Sequence, residues 1–312
     1  MNILISVVIC THNRSQYLAK AIQSLLNQQF PLENYEIIII DNCSTDQTKE
    51  VVEQLAGKNL RYIYEPTLGL SYARNTGWKN AQGKYVAYLD DDAIACPLWL
   101  STILEVFETV QPQPGCVGGK AEPIWEAPRP NWLSDELVTG LTVIDWSPTP
   151  QVLPDLSRQW LVGANIAFPK AVLEKLGGFI DGLDRSGKHL LSGGDVFLEK
   201  QIAQAGYSCY YHPQMAVSHH IQQSRLDKKW FIRRYFWQGV SDAVVQLIEE
   251  SPSRSKRLFL AILRTINLLL VPSQITSFLY NSDDKNQFTE RCFTLIKLGH
   301  IAGLLGLAHK PS

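Results

Sequence analysis

Residues 84–92 read Lys84-Tyr85-Val86-Ala87-Tyr88-Leu89-Asp90-Asp91-Asp92. An apolar, β-prone run ends in three adjacent carboxylates. Such neighbours repel one another unless a cation or hydrogen-bond donors offset the charge. Hard divalent ions such as Mg2+ and Mn2+ prefer oxygen ligands and are commonly shared with substrate phosphates. A solvated acidic turn is the alternative reading.

The residues upstream repeat the pattern of strand, polar end and helix. Ser6 to Cys10 is a short β-branched run ending in Thr11-His12-Asn13-Arg14, and Ser15 to Gln28 has helical spacing at Leu18, Ile22, Leu25 and Leu26. Glu36 to Ile40 is a second strand with four consecutive isoleucines, as expected for a parallel strand covered on both faces. It ends in Asp41-Asn42-Cys43-Ser44-Thr45-Asp46, and Ser44 to Gln47 has the spacing of a capping box. Leu60 to Tyr64 is a third strand, Leu70 to Ala81 a helix stopped at Gly83, and Pro97 opens a helix through about Val110. This order predicts a doubly wound, mostly parallel α/β sheet. Such sheets bind ligands at the carboxyl ends of their strands, where the polar clusters fall.

From 121 to 224 the pattern is less regular. Pro123, Pro128, Pro130, Pro148, Pro150 and Pro154 are interleaved with Trp125, Trp132 and Trp146, and the segment reads as a long loop. Leu161 to Phe168 is a strand. Lys170 to Leu176 is a short helix stopped at Gly177, and Gly193-Gly194-Asp195 opens a helix through Ala205. Beyond 225 the chain reads as helices only.

Composition narrows the function classes. The 312 residues are 45% hydrophobic and 19% charged, which excludes a disordered or low-complexity chain. Lys and Arg number 29 against 30 Asp and Glu, a formal net charge of -1, so no nucleic-acid partner is expected. The six Cys form no C-x-x-C pair, which points to reduced thiols and a cytoplasmic setting. No cleavable targeting signal is expected at the start. Leu258 to Tyr280 comes nearest to a membrane span, but Arg264, Asn267, Pro272 and Gln274 interrupt it.

Several residues carry two readings each. Asp46 is either a helix N-cap or a ligand group, and Asp41 lies at the ligand edge. Arg74 pairs with a phosphate, locks the Asp clusters, or is an exposed helix charge. Gly77 allows close packing. Asp195 is an N-cap or a general base at a helix start. His219 and His220 are metal ligands or ordinary histidines. Arg225 to Trp237 is basic and aromatic, and a docked helix is preferred to a nucleic-acid or membrane stripe.

Taken together, these motifs resemble the family 2 glycosyltransferases. The matching pieces are strand-Thr11-x-Asn13-Arg14, strand-Asp41-x-x-Ser44-Thr45-Asp46, Gly69-x-Ser71-x-Ala73-Arg74-Asn75-x-Gly77 and strand-Asp90-Asp91-Asp92. Gly177-Gly178-Phe179, Gly194-Asp195, His219 and Arg233-Arg234-Tyr235-x-x-x-Gly239-x-Ser241 follow in order. The resemblance covers about residues 4 to 241. It implies a GT-A fold with a catalytic domain over 1–224, a nucleotide-sugar half to about 120 and an acceptor half over 121–224. A helical region over 225–312 would follow. It further implies an inverting, metal-dependent transfer from a nucleoside-diphosphate sugar, UDP-sugar favoured, to a glycan, polysaccharide or lipid-linked acceptor. Thr11, Asn13 and Arg14 would line the donor pocket, Asp41 would bond the nucleobase, and Arg74 would support base or diphosphate. Asp90 would hold the ribose, with Asp91 beside it. Asp92 and His219 would bind Mn2+ or Mg2+, and Asp195 would be the base. Where family members often carry Glu-Asp, this chain has Gly194-Asp195, so Asp181 and Asp184 are rival bases. His220 is the rival of His219.

Two other readings compete. A sugar-phosphate nucleotidylyltransferase would need a Gly-rich loop near the N-terminus, and Ser6 to Arg14 holds no Gly. A non-catalytic nucleotide- or carbohydrate-binding scaffold would not need Asp90, Asp92 and Asp195. The tryptophan-rich stretch from Trp125 to Trp160 is expected to shape the acceptor site. Residues 251–312 hold eight Lys or Arg (Arg254, Lys256, Arg257, Arg264, Lys285, Arg291, Lys297, Lys310) and three acids (Asp283, Asp284, Glu290). Leu258, Ile262, Ile266, Leu269 and Leu270 recur near helical spacing. This is either an amphipathic membrane-surface segment, at the inner face of the plasma membrane, or a packed helical annex.

Overall fold

The computed structural model describes residues 3–308 apart from 56, 58, 186–189, 273–275, 277 and 279–283. Gln274, Tyr280, Asp283 and Lys310 of the C-terminal reading lie outside the described residues. Strands and helices alternate first: β1 (Ile5–Thr11), α1 (Ser15–Leu26), β2 (Tyr35–Asp41), α2 (Thr48–Gln54), β3 (Leu60–Tyr64), α3 (Leu70–Asn80), β4 (Tyr85–Leu89), β5 (Ala93–Ala95) and α4 (Trp99–Thr109). Next come β6 (Cys116–Trp125), α5 (Asp135–Val138), β7 (Gln151–Val152), β8 (Asn165–Pro169), α6 (Lys170–Leu176), α7 (Gly194–Gln204) and β9 (Cys209–Ile221). Then follow α8 (Lys228–Glu250), α9 (Arg254–Leu269) and α10 (Lys285–Leu304).

The sheet runs β3-β2-β1-β4-β8-β6-β9-β5, with β7 paired to β9. Its first four strands are parallel. β8 is antiparallel to β4 and β6, and β5 and β7 are antiparallel to β9. The sheet is therefore mixed: a doubly wound parallel half extended by antiparallel strands.

Alternation along β1 and β2 divides the core. Val7, Ile9, Ile37 and Ile39 face Leu18, Ile22 and Leu25 of α1 and Trp99, Ile103 and Phe107 of α4. Val8, Ile38 and Ile40 face the other way, with Ala73 and Trp78 of α3, Leu173 of α6 and Leu198 and Ile202 of α7. Both faces are covered, which is why the isoleucine run is unbroken. Truncating one such residue to Ala costs about 2–5 kcal/mol. Gly77 lets α3 sit against β1, since a Cβ there would collide with the Val8 side chain.

Three local expectations are corrected. β6 runs on through Pro123, where the proline-rich stretch from 121 suggested a loop. A Cβ at Gly119 would collide with the Met215 carbonyl, so the glycine admits the backbone of β9. The 121–160 stretch, expected as one loop, carries the end of β6, α5 and β7, and Trp146 donates to the Trp160 carbonyl at 2.6 Å. Thirdly, α2 starts at Thr48, after the Ser44–Gln47 box.

Two compact units result. The first holds residues up to Ile124, Thr142–Gly182 and Gly194–His220; the second holds Trp125–Leu141, Leu183–Gly193 and Ile221 onward. In the second, α8 and α10 cross closely through glycines: a Cβ at Gly239 would collide with the Ile296 carbonyl, and one at Gly299 with the Phe236 carbonyl. Trp132 meets Phe231 and Phe288 edge-on, with ring centroids 5.2 Å and 4.9 Å away. Phe231 and Tyr235 of the basic-aromatic stretch are buried, so its aromatics serve packing. No helix among the described residues is long and apolar enough to cross a membrane.

Candidate functional site

The parallel register brings the polar strand ends to one edge. Thr11 pairs with Asp41 across β1 and β2, and β4 runs alongside β1 into Asp90–Asp92. The edge is stapled before any ligand arrives. Asn13, in the left-handed region at φ 54°, accepts from the Thr45 backbone N–H at 2.7 Å. Its own N–H donates to Ser44 Oγ at 3.0 Å. Asp46 accepts from the Ser15 and Thr48 backbones at 3.0 and 3.1 Å, which joins the starts of α1 and α2, while the N-cap position of α2 itself is Gln47. Asp41 is buried and accepts from the Ser44 N–H at 2.9 Å and the Tyr62 hydroxyl at 2.6 Å. Burial, and then the Asp41 carboxylate, raise the Tyr62 pKa, so that hydroxyl stays a donor.

The acidic triplet is an organised cluster. Asp91 is buried and accepts from Thr11 Oγ1 at 2.8 Å, and its other oxygen lies 2.9 Å from Arg14 Nη1. Arg14 Nη2 bonds Asp92 Oδ2. Burial pushes the Asp91 carboxyl up to about 7; Arg14 and Thr11 oppose that rise, and Asp92 and Asp90 add to it. Burial disfavours the Arg14 charge, but the three carboxylates outweigh it and raise the guanidinium pKa.

On its other side, Asp92 Oδ1 lies 3.1 Å from His219 Nε2, with both side chains buried. Asp90, Asp92 and His219 each offer one ligand atom, all within 4.8 Å of one another. Two carboxylate oxygens and an imidazole nitrogen form a donor set that could hold a divalent cation. Asp90, which the resemblance gives to the ribose, thus stands in the cation group. His219 is placed by register, as β5 pairs Ala93 with His219 directly after Asp92. His220 is outside this group, with its ring 5.4 Å from that of Tyr17.

A second cluster joins α3 and α7. Arg74 is buried, with its guanidinium 5.1 Å from the Phe179 ring. Asn75 clamps the same turn: it donates to the Phe179 carbonyl at 2.7 Å and accepts from the Phe179 N–H at 2.9 Å. Asp195 accepts from the Gly163 N–H at 2.8 Å and the Val196 N–H at 3.0 Å. A Cβ at Gly163 would collide with Arg74 and lie 2.9 Å from Asp195 Oδ2, so this glycine brings Arg74 and Asp195 to one point. Of the rival bases, Asp181 accepts from Asn75 at 3.0 Å, and Asp184 is buried in the second unit.

Gly163 and Glu199 escaped the sequence reading. Glu199 is fully buried one turn after Asp195, and its Oε2 accepts from the Leu161 N–H at 2.9 Å. Burial holds its carboxyl well above the usual carboxylate range. Its signal was an acid at helical spacing among Phe197, Leu198 and Ile202. With Asp195 it grips both ends of the 161–163 segment.

The expected family matches this geometry. The profile described as glycosyl transferase family 2 fits residues 6–177. The glucosyl-dolichyl phosphate glucuronosyltransferase of Haloferax volcanii is 27% identical over 261 residues, 82% of each chain. The glycosyltransferase AglE of the same organism is 30% identical over 208 residues, 65% of this chain and 62% of its own length. Among solved structures, a mannosyltransferase of Pyrobaculum calidifontis, in complex with GDP-Man and Mn2+, superposes with a TM-score of 0.62 at 19% identity. That match covers 98% of this chain and 87% of the other. TarS 1-349 of S. aureus, in complex with UDP-GlcNAc, gives a TM-score of 0.57 at 16% identity, covering 98% and 90%. These structures share the GT-A fold. With its profile match spanning more than half of its length, the chain belongs to glycosyl transferase family 2 and is a glycosyltransferase.

Proposed function

We propose that the chain moves a hexosyl group from a nucleoside-diphosphate sugar, UDP-sugar favoured, to a hydroxyl of a glycan, polysaccharide or lipid-linked acceptor, with inversion. The Asp90–Asp92–His219 group at the carboxyl edge carries this reading. Structural relatives are complexed with GDP-Man and Mn2+ or with UDP-GlcNAc, and one sequence relative is named for a glucosyl-dolichyl phosphate, which supports a lipid-linked acceptor.

Asp90, Asp92 and His219 would hold Mn2+ or Mg2+, which as a Lewis acid stabilises a leaving diphosphate. Arg14, braced between Asp91 and Asp92, fixes the orientation of both carboxylates. Thr11 fixes Asp91, and Asn13 and Asp41 shape the strand-end loops around the nucleoside. Arg74 offers its guanidinium to the diphosphate. Asp195 takes the acceptor hydroxyl proton as that oxygen attacks the anomeric carbon. Its two backbone bonds orient the carboxylate and leave acceptor capacity on each oxygen. A single displacement needs no covalent intermediate. We assign this chemistry to 1–224, a helical region to 225–312, and a cytoplasmic site of action at the inner face of the plasma membrane.

The test is thermal stability of the purified chain against a panel of nucleoside diphosphates, with and without Mn2+. One nucleotide should raise Tm by about 2 °C or more at saturation, only with metal. Asp92→Ala should abolish that shift. If no nucleotide shifts Tm, the donor site fails and the scaffold reading replaces it.

A further inference from the structure

The helix α9 reverses the usual arrangement of a surface helix. At 3.6 residues per turn, Leu258, Phe259, Ile262, Leu263, Ile266 and Leu269 fall within one arc of about 140°. All six face solvent, Phe259 at 59% and Leu269 at 60% exposure. Packing uses the other side: Ala261, at 2% exposure, sits with Ala243 of α8 and Leu304 of α10. Among the described residues, nothing covers the arc. An apolar patch of this kind on a protein surface marks an interaction site.

Charge decides the occupant. The charged residues of α9 are Arg254, Lys256, Arg257 and Arg264, with no acid among them. On the same wheel, Arg254 and Lys256 border the arc on its two sides. The α9 of a second copy would offer more apolar surface but no acid to meet these cations. An anionic bilayer meets both demands, with acyl chains for the arc and phosphates for its border.

We propose that α9 lies in the headgroup–acyl boundary of an anionic lipid bilayer, with the Leu258–Leu269 arc inward and Arg254 and Lys256 toward lipid phosphates. The helix lies in the plane of the surface and docks the enzyme without crossing the membrane. This deepens the proposed site of action but is independent of the reaction, so vesicle binding and sugar transfer can fail separately.

The full chain is tested by co-sedimentation with phosphatidylcholine vesicles, with and without about one third phosphatidylglycerol. A basic residue near an anionic surface strengthens binding roughly fivefold. Binding to the anionic vesicles should therefore be at least about tenfold tighter and should weaken with salt. The Phe259→Ser/Ile266→Ser variant should lose about tenfold or more on anionic vesicles. The Arg254→Gln/Lys256→Gln variant should lose the anionic preference. Both pairs are exposed, so Tm should stay at the wild-type value. Vesicles should also slow hydrogen exchange across 258–269. Failure to bind anionic vesicles at low salt, or binding that ignores both variants, overturns the proposal. So does a dimer in sedimentation that Phe259→Ser/Ile266→Ser dissociates without any vesicle binding, since a second copy then covers the arc.

Discussion

At the carboxyl edge of the parallel strands, Asp91, Asp92, Arg14 and His219 are held away from or at the margin of water, while along α9 leucines, isoleucines and a phenylalanine face it. The two regions depart from ordinary burial in opposite directions. In the first, each buried charge has named partners, so the arrangement is determined from within. In the second, the packed side of α9 is a narrow stripe and the wide apolar side meets nothing in the described chain. Buried polarity that satisfies itself marks a site prepared for a small ligand. Exposed apolarity that nothing covers marks a surface prepared for something larger.

The largest expected effect probes the first region. Asp195→Asn keeps the shape and one of the two acceptor oxygens while removing the base. Turnover should fall by about 10²–10⁴-fold, and the metal-dependent Tm shift with nucleotide should persist. Initial rates of nucleoside-diphosphate release read the first quantity. Undiminished turnover would move the base elsewhere and break the claim that the buried cluster is catalytic.

Glu199 sharpens the comparison, because it is a buried acid outside the cation group. Burial raises its pKa and favours the neutral carboxyl, so Glu199→Gln preserves a neutral acceptor for Leu161 and should keep kcat. Glu199→Leu leaves a buried N–H unpaired, at a cost of about 1–3 kcal/mol. In that variant kcat should fall roughly tenfold, KM for the donor should hold, and Tm should drop by several degrees. Equal behaviour of the two variants would reduce Glu199 to filler.

The smallest effect lies beneath α9. His300 shares a hydrogen bond with Gln246 Oε1 at 2.9 Å, and burial, then Arg264, push its pKa down to about 4. The folded state favours the neutral ring, while the unfolded ring takes a proton near its ordinary value of about 6.5. Its stabilising contribution is complete above about 6.5 and is lost as pH falls toward 4. Thermal melts across that window should fall by a few degrees less in His300→Gln than in the wild type. Parallel curves would show that no titration lies under the α9 surface.

Legibility in the sequence followed the range of the physics involved. Strands β1 to β4 and their polar ends were readable because an unbroken isoleucine run and a terminal Asp triplet are local signals. The strand β6 was not, because Pro123 and the prolines after it read as a loop. Only the close approach of β9 explains why Gly119 must lack a side chain. The resemblance named Asp92 and His219 together, and the register of β5 against β9 supplies the physical reason that they are neighbours. Asp90 joined them only in three dimensions. Glu199 was invisible because its partner, Leu161, is 38 residues away. The face of α9 was readable as periodicity, but its exposure depends on what α8 and α10 leave uncovered.

The pairing of Ala93 with His219 has a consequence for error tolerance. A strand that slips by one residue turns every side chain to the opposite face. Here the neighbour that would arrive is another imidazole, His220. A slip of β9 in that sense would disturb the core yet still offer nitrogen opposite Asp92. A slip in the other sense would offer Ser218. The doubled histidine therefore makes the strand's errors asymmetric, with one misregister chemically quiet and the other not. At Gly119, β6 and β9 approach too closely for any Cβ, so a slip would also have to preserve a glycine at that contact.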